Sequence, residues 1–154
     1  MKLHPLRLED LSNLKYEFFS CSFLTVPQRT VLIVAFEGEY GYGSKGNGDA
    51  SFMEAIIRAA LAAWGPWALI LDLRKMTYEW GDEILKAISA SQERYFDLPF
   101  PTAIVISDKN SEGLTSLVLE EMFSDPATWL FNSLDAALQA VEEQYVENFE
   151  KQAP

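Results

Sequence analysis

The sequence predicts a single α/β domain over residues 1–154, with a mixed β-sheet opened by an N-terminal hairpin and continued by parallel strands. Helices are expected mainly on one face. Three observations carry this prediction. Apolar runs at residues 30–37, 68–73 and 102–107 are too short for ordinary helices and read as buried strands. Longer segments with apolar side chains at helical spacing separate the later runs, an alternation that makes neighbouring strands parallel. Pro27 and Gln28 separate the first two extended segments closely enough for a hairpin.

Taken in order, residues 16–26 are aromatic and β-branched and form the first expected strand. Residues 30–37, T-V-L-I-V-A-F-E, form the second. Residues 38–49 carry five glycines and are expected to be a flexible loop. Phe52, Met53, Ile56, Ile57, Ala60, Leu61 and Trp64 then mark a buried helical face, with Ser51 and Glu54 as a capping box and Gly65–Pro66 as its stop. Strand 68–73 leads through a turn over residues 74–81 into a helix expected from residue 82 to 96. Strand 102–107, a polar loop at 108–113, a helix at 114–123 and a short edge strand at 128–131 follow. Leu134, Ala137, Leu138, Val141 and Tyr145 mark the last helix, capped by Asn132 or Ser133.

Composition narrows the chemistry. The chain of 154 residues is 49% hydrophobic and 13% aromatic, enough for a full core without disulfides or metal. A formal net charge of -11 repels nucleic acid and anionic membrane surfaces. One cysteine, Cys21, and one histidine, His4, exclude an internal disulfide and a thiolate–imidazole zinc cluster. No cofactor, metal ligand or catalytic residue is expected. With no apolar signal-peptide core and no run of transmembrane length, the protein is expected to be cytoplasmic. G-Y-G-S-K-G-N-G-D is neither a P-loop nor a dinucleotide fingerprint, and Asp49 would repel phosphate there.

Several strings resemble the STAS domain, found in bacterial anti-sigma-factor antagonists and in the cytoplasmic tails of sulfate transporters. T-V-L-I-V-A-F-E-G-E-Y at 30–40 matches its strand ending in G-E-L-D, and L-I-L-D-L-R-K-M-T-Y at 69–78 matches L-V-L-D-L-S-x-V-x-F. W-L-F-N-S-L-D-A-A-L-Q-A-V at 129–141 is similar to the family's closing strand and helix. The resemblance implies a regulatory protein-binding module. In regulatory members the third strand leads to D-S-S-G, whose serine is phosphorylated. Here Glu79, Trp80, Gly81, Asp82 and Glu83 stand there, without Ser or Thr, and Asp82 falls at about the serine position.

The expected contact surface is therefore the loop after the third strand, comprising Tyr78, Glu79, Trp80, Gly81, Asp82 and Glu83, together with Glu39, Tyr40 and Tyr42. Trp80 reads either as a core anchor or as an interface hot spot. Strand-like alternation would place Tyr78 and Trp80 on one side and Glu79 on the other. The expected partner is a signalling or anti-sigma-like protein. Two alternatives stay open: an acidic inhibitor or immunity protein for a basic toxin or nuclease, and a small Mg-dependent enzyme using strand-end carboxylates. Asp72, inside an apolar run, requires a partner such as Arg74 or Lys75. The sequence fixes no oligomeric state.

Overall fold

The computed structural model describes residues 1–93 and 98–150. β1 (Lys15–Ser22) and β2 (Thr30–Glu39) form the antiparallel hairpin, and β3 (Ala68–Thr77), β4 (Thr102–Val105) and β5 (Leu130–Phe131) continue the sheet in parallel, in the order β1-β2-β3-β4-β5. The fold class is as the sequence predicts. Between the strands run α1 (Asn47–Trp64), α2 (Leu85–Ile88), α3 (Ser111–Glu120) and α4 (Leu134–Tyr145).

Alternation along each strand divides the core in two. Leu32, Val34, Phe36, Leu69, Leu71, Leu73 and Ile104 face Phe52, Met53, Ile56 and Ile57 of α1, with α2 and α3 alongside. On the opposite face Val31, Ile33, Ala68, Ile70, Ala103 and Val105 meet Ala137, Val141 and Tyr145 of α4. Each Val, Leu, Ile, Phe or Met among them contributes about 1.5–3 kcal/mol through burial. α4 lies over β3 and β4, so the β1 side of its face stays open and Phe19 is 50% exposed.

Several boundaries differ from expectation for physical reasons. β1 stops at Ser22 rather than at 26, because residues 24–26 turn away to meet α4. The Glu142 carboxylate accepts hydrogen bonds from the Thr25 N–H and hydroxyl, both at 2.6 Å. α1 starts at Asn47, not Ser51, so the capping box does not form. Asp49 sits in its first turn, buried, accepting from the Ser12 hydroxyl and from the Gly41 N–H at 2.8 Å. Much of the glycine-rich segment is thus regular: a 3-10 turn at Gly43–Gly46 precedes the helix. Gly65 ends α1 in the left-handed conformation, φ 51°.

The helix expected over 82–96 is broken into a 3-10 turn (Asp82–Ile84), α2 and a second 3-10 turn (Ala90–Glu93), while residues 94–97 lie outside the described part. The Ser89 hydroxyl donates to the Leu85 carbonyl at 2.6 Å, a local bond that perturbs the helix, and the Ser91 and Thr102 hydroxyls pair at 2.8 Å, tying the segment to β4. Ser133 caps α4, its hydroxyl accepting from the Ala136 N–H. No helix among the described residues is long and apolar enough to cross a membrane.

Candidate functional site

β3 runs four residues beyond its apolar stretch because it contains a bulge. Ala35 pairs with Asp72 and Glu37 with Lys75, so one extra residue of β3 lies opposite Phe36. β4 ends at Val105, opposite Asp72, so the β3 carbonyls beyond that point need donors from elsewhere. Asn110, 1% exposed, supplies both protons of its amide, to Leu73 O at 2.6 Å and Met76 O at 2.9 Å, and the Ser107 hydroxyl donates to Arg74 O at 2.7 Å. The Arg74 guanidinium grips Asp72 through two bonds of 2.7 and 2.9 Å. Burial alone would raise the Asp72 pKa, but the Arg74 hydrogen bonds and charge hold it below the usual carboxylate value.

Two clamps then fix the loop at residues 78–83. The Tyr78 N–H donates to Lys109 O at 3.2 Å and the Tyr78 hydroxyl to Gly81 O at 2.8 Å, tying the loop to the entry of α3 and closing it on itself. Burial, with the Asp82 carboxylate nearby, pushes the Tyr78 phenol up to about 12. On the other side the Gly43 N–H donates to Trp80 O at 2.9 Å. Gly43 has φ 58°, and a Cβ there would sit 2.9 Å from the indole, so the residue type both permits the turn and lets the ring approach it closely. Gly81, at φ 142°, occupies a conformation that side chains disfavour.

The expected contact residues divide between support and surface. Tyr78 and Tyr40 are core residues, 2% and 5% exposed, and Gly81 is buried beside them. Tyr78 and Trp80 therefore do not share a side, because β3 ends at Thr77 and strand alternation does not extend through the loop. Trp80 is 59% exposed, which overturns its reading as a core anchor. Tyr42 is also exposed, with its ring centroid 5.7 Å from that of Trp80. Glu39, Glu79 and Asp82 are exposed, and the half-exposed Glu83 pairs with Lys86.

Concavities flank the loop, with Glu79 lining both. One, of about 570 Å³, is bounded by Glu39, Tyr42, Lys45, Thr77 and the segment 10–13. The other, of about 540 Å³, lies between Trp80 and α3 and brings Asp82, Asp108, Glu112, Glu120 and Glu121 around Lys109. These carboxylates do not converge on a point: among the described residues no group of three or more His, Cys, Asp or Glu side chains could hold a metal ion. Sequence reasoning missed Asn110, Gly43 and the acidic face of α3. An Asn directly before a helix start was the available signal for the first, whereas the other two become visible only once α3 and the turn at 43 pack on the loop.

This arrangement of hairpin, parallel strands and helices is similar to a solved structure, that of an anti-sigma factor antagonist from Mycobacterium paratuberculosis. The two share a TM-score of 0.55 and 22% sequence identity, over 83% of this chain and 95% of that one. The chain has the STAS-like fold. No family model matches it, and no curated protein matches it in sequence. Within the STAS-like fold, the bulge of β3 and the clamps on residues 78–83 are features of this chain that deliver an exposed indole to the rim of an acidic concavity.

Proposed function

We propose that the chain is a non-enzymatic regulatory module of the cytoplasm, binding a protein partner through the loop after β3 without a phosphoserine switch. The observation that carries this reading is Trp80, a large aromatic side chain left 59% exposed on a backbone held from both sides. Rigid exposed aromatics lose little entropy on binding and dominate interface energetics. The likeness to an anti-sigma factor antagonist supports a regulatory protein-interaction role. Glu39, Tyr42, Glu79, Asp82 and Glu83 complete the proposed surface, with Tyr40, Tyr78 and Gly81 as its support.

Asp82, near the serine position of the regulatory STAS domains, carries one fixed charge where a phosphoserine carries roughly 1.5 to 2. The surface is therefore constitutive in this reading. The acidic concavity beside Trp80 favours a second reading, an inhibitor of a basic protein, whose association would be fast and strongly salt-dependent.

The test is affinity capture from the source cell with the wild-type chain and with Trp80→Ala as baits. A protein retained by the wild type and lost with Trp80→Ala, at unchanged melting temperature, supports the site. Equal capture by both baits overturns it. Phosphate on Thr77 or Ser89 that alters capture would overturn the constitutive surface, and steep loss of capture with salt would select the basic-partner reading.

A further inference from the structure

β1 is an edge strand with no strand on its outer side among the described residues. The phase of its ladder with β2 identifies the backbone groups left over. Phe23 N–H donates to Arg29 O, so the 23–29 pair is hydrogen-bonded. In the unbroken register from there, residues 15, 17, 19 and 21 point their N–H and C=O groups at β2. Thr30, opposite Ser22, instead accepts from the Trp67 N–H on its β3 side, as that phase requires. Tyr16, Phe18, Ser20 and Ser22 therefore present their donors and acceptors outward. Exposed aromatic side chains stand along this edge among the exposed polar Lys15, Glu17, Ser20 and Ser22: Tyr16 is 40% exposed, Phe19 50%, and Trp64, edge-on to Phe18 with ring centroids 5.1 Å apart, 57%. An edge with unpaired backbone groups and exposed aromatics is a template for strand addition.

We propose that this edge pairs with the same edge of a second copy, antiparallel about a two-fold axis, making one continuous sheet across the dimer. Two observations favour a second copy over a foreign strand. The first is self-complementarity. With Phe19 opposite its own counterpart, Tyr16 meets Ser22 and Phe18 meets Ser20, so all four outward residues of each strand are used. The pairing forms about eight interchain hydrogen bonds. Each residue also meets one from the same face of the sheet, so the α1 sides of the two copies align. The second is charge. The chain carries -11 overall, which opposes self-association, but Phe18 to Ser22 is uncharged, and in this register Glu17 meets Cys21. The two Glu17 carboxylates then stand about 13 Å apart along the strands, beyond the roughly 8 Å screening length of physiological salt. Two copies can therefore approach along this edge without close like charges on Phe18 to Ser22, and it uses none of the residues of the loop after β3.

Sedimentation of the full chain across a concentration series tests the proposal. A species of twice the 17.4 kDa chain mass is expected, strengthened or unchanged as salt is raised. Ser20→Pro removes an outward N–H without touching the β2 ladder and should weaken association at least tenfold while the chain stays folded. Should that variant unfold, Phe19→Cys in a Cys21→Ser background supplies the second measurement. Its thiols would face each other across the two-fold as a non-hydrogen-bonded pair, and oxidation should link them into a covalent dimer. A wild-type chain that stays monomeric at millimolar concentration overturns the proposal. So does a dimer that Ser20→Pro leaves intact, or one in which the Phe19→Cys thiols do not link.

Discussion

Tyr40 and Tyr78 meet edge to face with ring centroids 5.3 Å apart, yet their hydroxyls are treated differently by the fold. The Tyr78 hydroxyl donates to Gly81 O, whereas the Tyr40 hydroxyl is buried with no hydrogen-bond partner among the described residues. The same substitution should therefore have opposite outcomes. Tyr78→Phe is expected to cost about 1 kcal/mol and loosen the loop, while Tyr40→Phe should be neutral or stabilising, since it removes an unsatisfied buried group. Urea unfolding of both variants at neutral pH checks this.

The same pair sets an alkaline limit on stability. Burial raises both phenols, Tyr78 to about 12 and Tyr40 in the same direction, against about 10 in an unfolded chain. Below pH 10 both states hold these protons and the contribution is complete. Between about pH 10 and 12 the unfolded chain releases protons that the folded chain keeps, so stability falls. Unfolding midpoints measured from pH 9 to 12 should drop across that window, less steeply in Tyr78→Phe than in the wild type.

Gly43→Ala should displace Trp80 without unfolding the domain. The added Cβ would lie 2.9 Å from the indole, and the residue would have to hold φ 58°, at a cost of about 1–2 kcal/mol. Tryptophan fluorescence should report the change in the Trp80 environment, and urea unfolding its cost.

Asn110→Ala leaves the Leu73 and Met76 carbonyls without their donor at a buried bulge. Each unsatisfied group costs about 1–3 kcal/mol, so the loss should exceed that of any single change at the exposed surface of the loop. Hydrogen exchange should accelerate at residues 76–81 before it does in α1.

The Asp72–Arg74 pair makes a smaller, acid-sensitive contribution. Its carboxylate has a lowered pKa, so its stabilisation is complete above the unfolded value near 4 and disappears as pH falls through the folded one. Because Arg74 is 43% exposed, solvent screening limits the pair to about 1 kcal/mol at most. Asp72→Asn should be less stable than the wild type at pH 7 by up to that amount, and the difference should narrow as pH falls below about 4.

The parts of the fold governed by hydrophobic periodicity were legible in the sequence. Residues 31–34 and 68–71 are apolar in succession because both sheet faces are covered, and Phe52 to Leu61 repeat as α1 requires. What escaped was set by polar groups acting across distance. Asp49 reads as a loop acid until Ser12 and Gly41 are brought to it, and that contact allows α1 to start four residues early. The ends of β3 depend on Asn110 and Ser107, more than thirty residues away. At the candidate site, the loop after β3 could be singled out from the sequence, but the division between buried Tyr78 and exposed Trp80 could not. β3 ends at Thr77, so the two-residue period on which such a reading depends does not reach residues 78–80.

The hydrogen bonds from Thr25 to Glu142 bridge 117 positions of the chain. On a ribosome making the protein from its N-terminus, the β1–β2 turn therefore emerges long before the carboxylate that fixes it. The hairpin and its turn can form early from their own backbone bonds, but Thr25 lacks its carboxylate acceptor until α4 has been made and has docked. Fastening of Thr25 is thus a late event in biogenesis, and it reports that the last helix has found its place on the sheet.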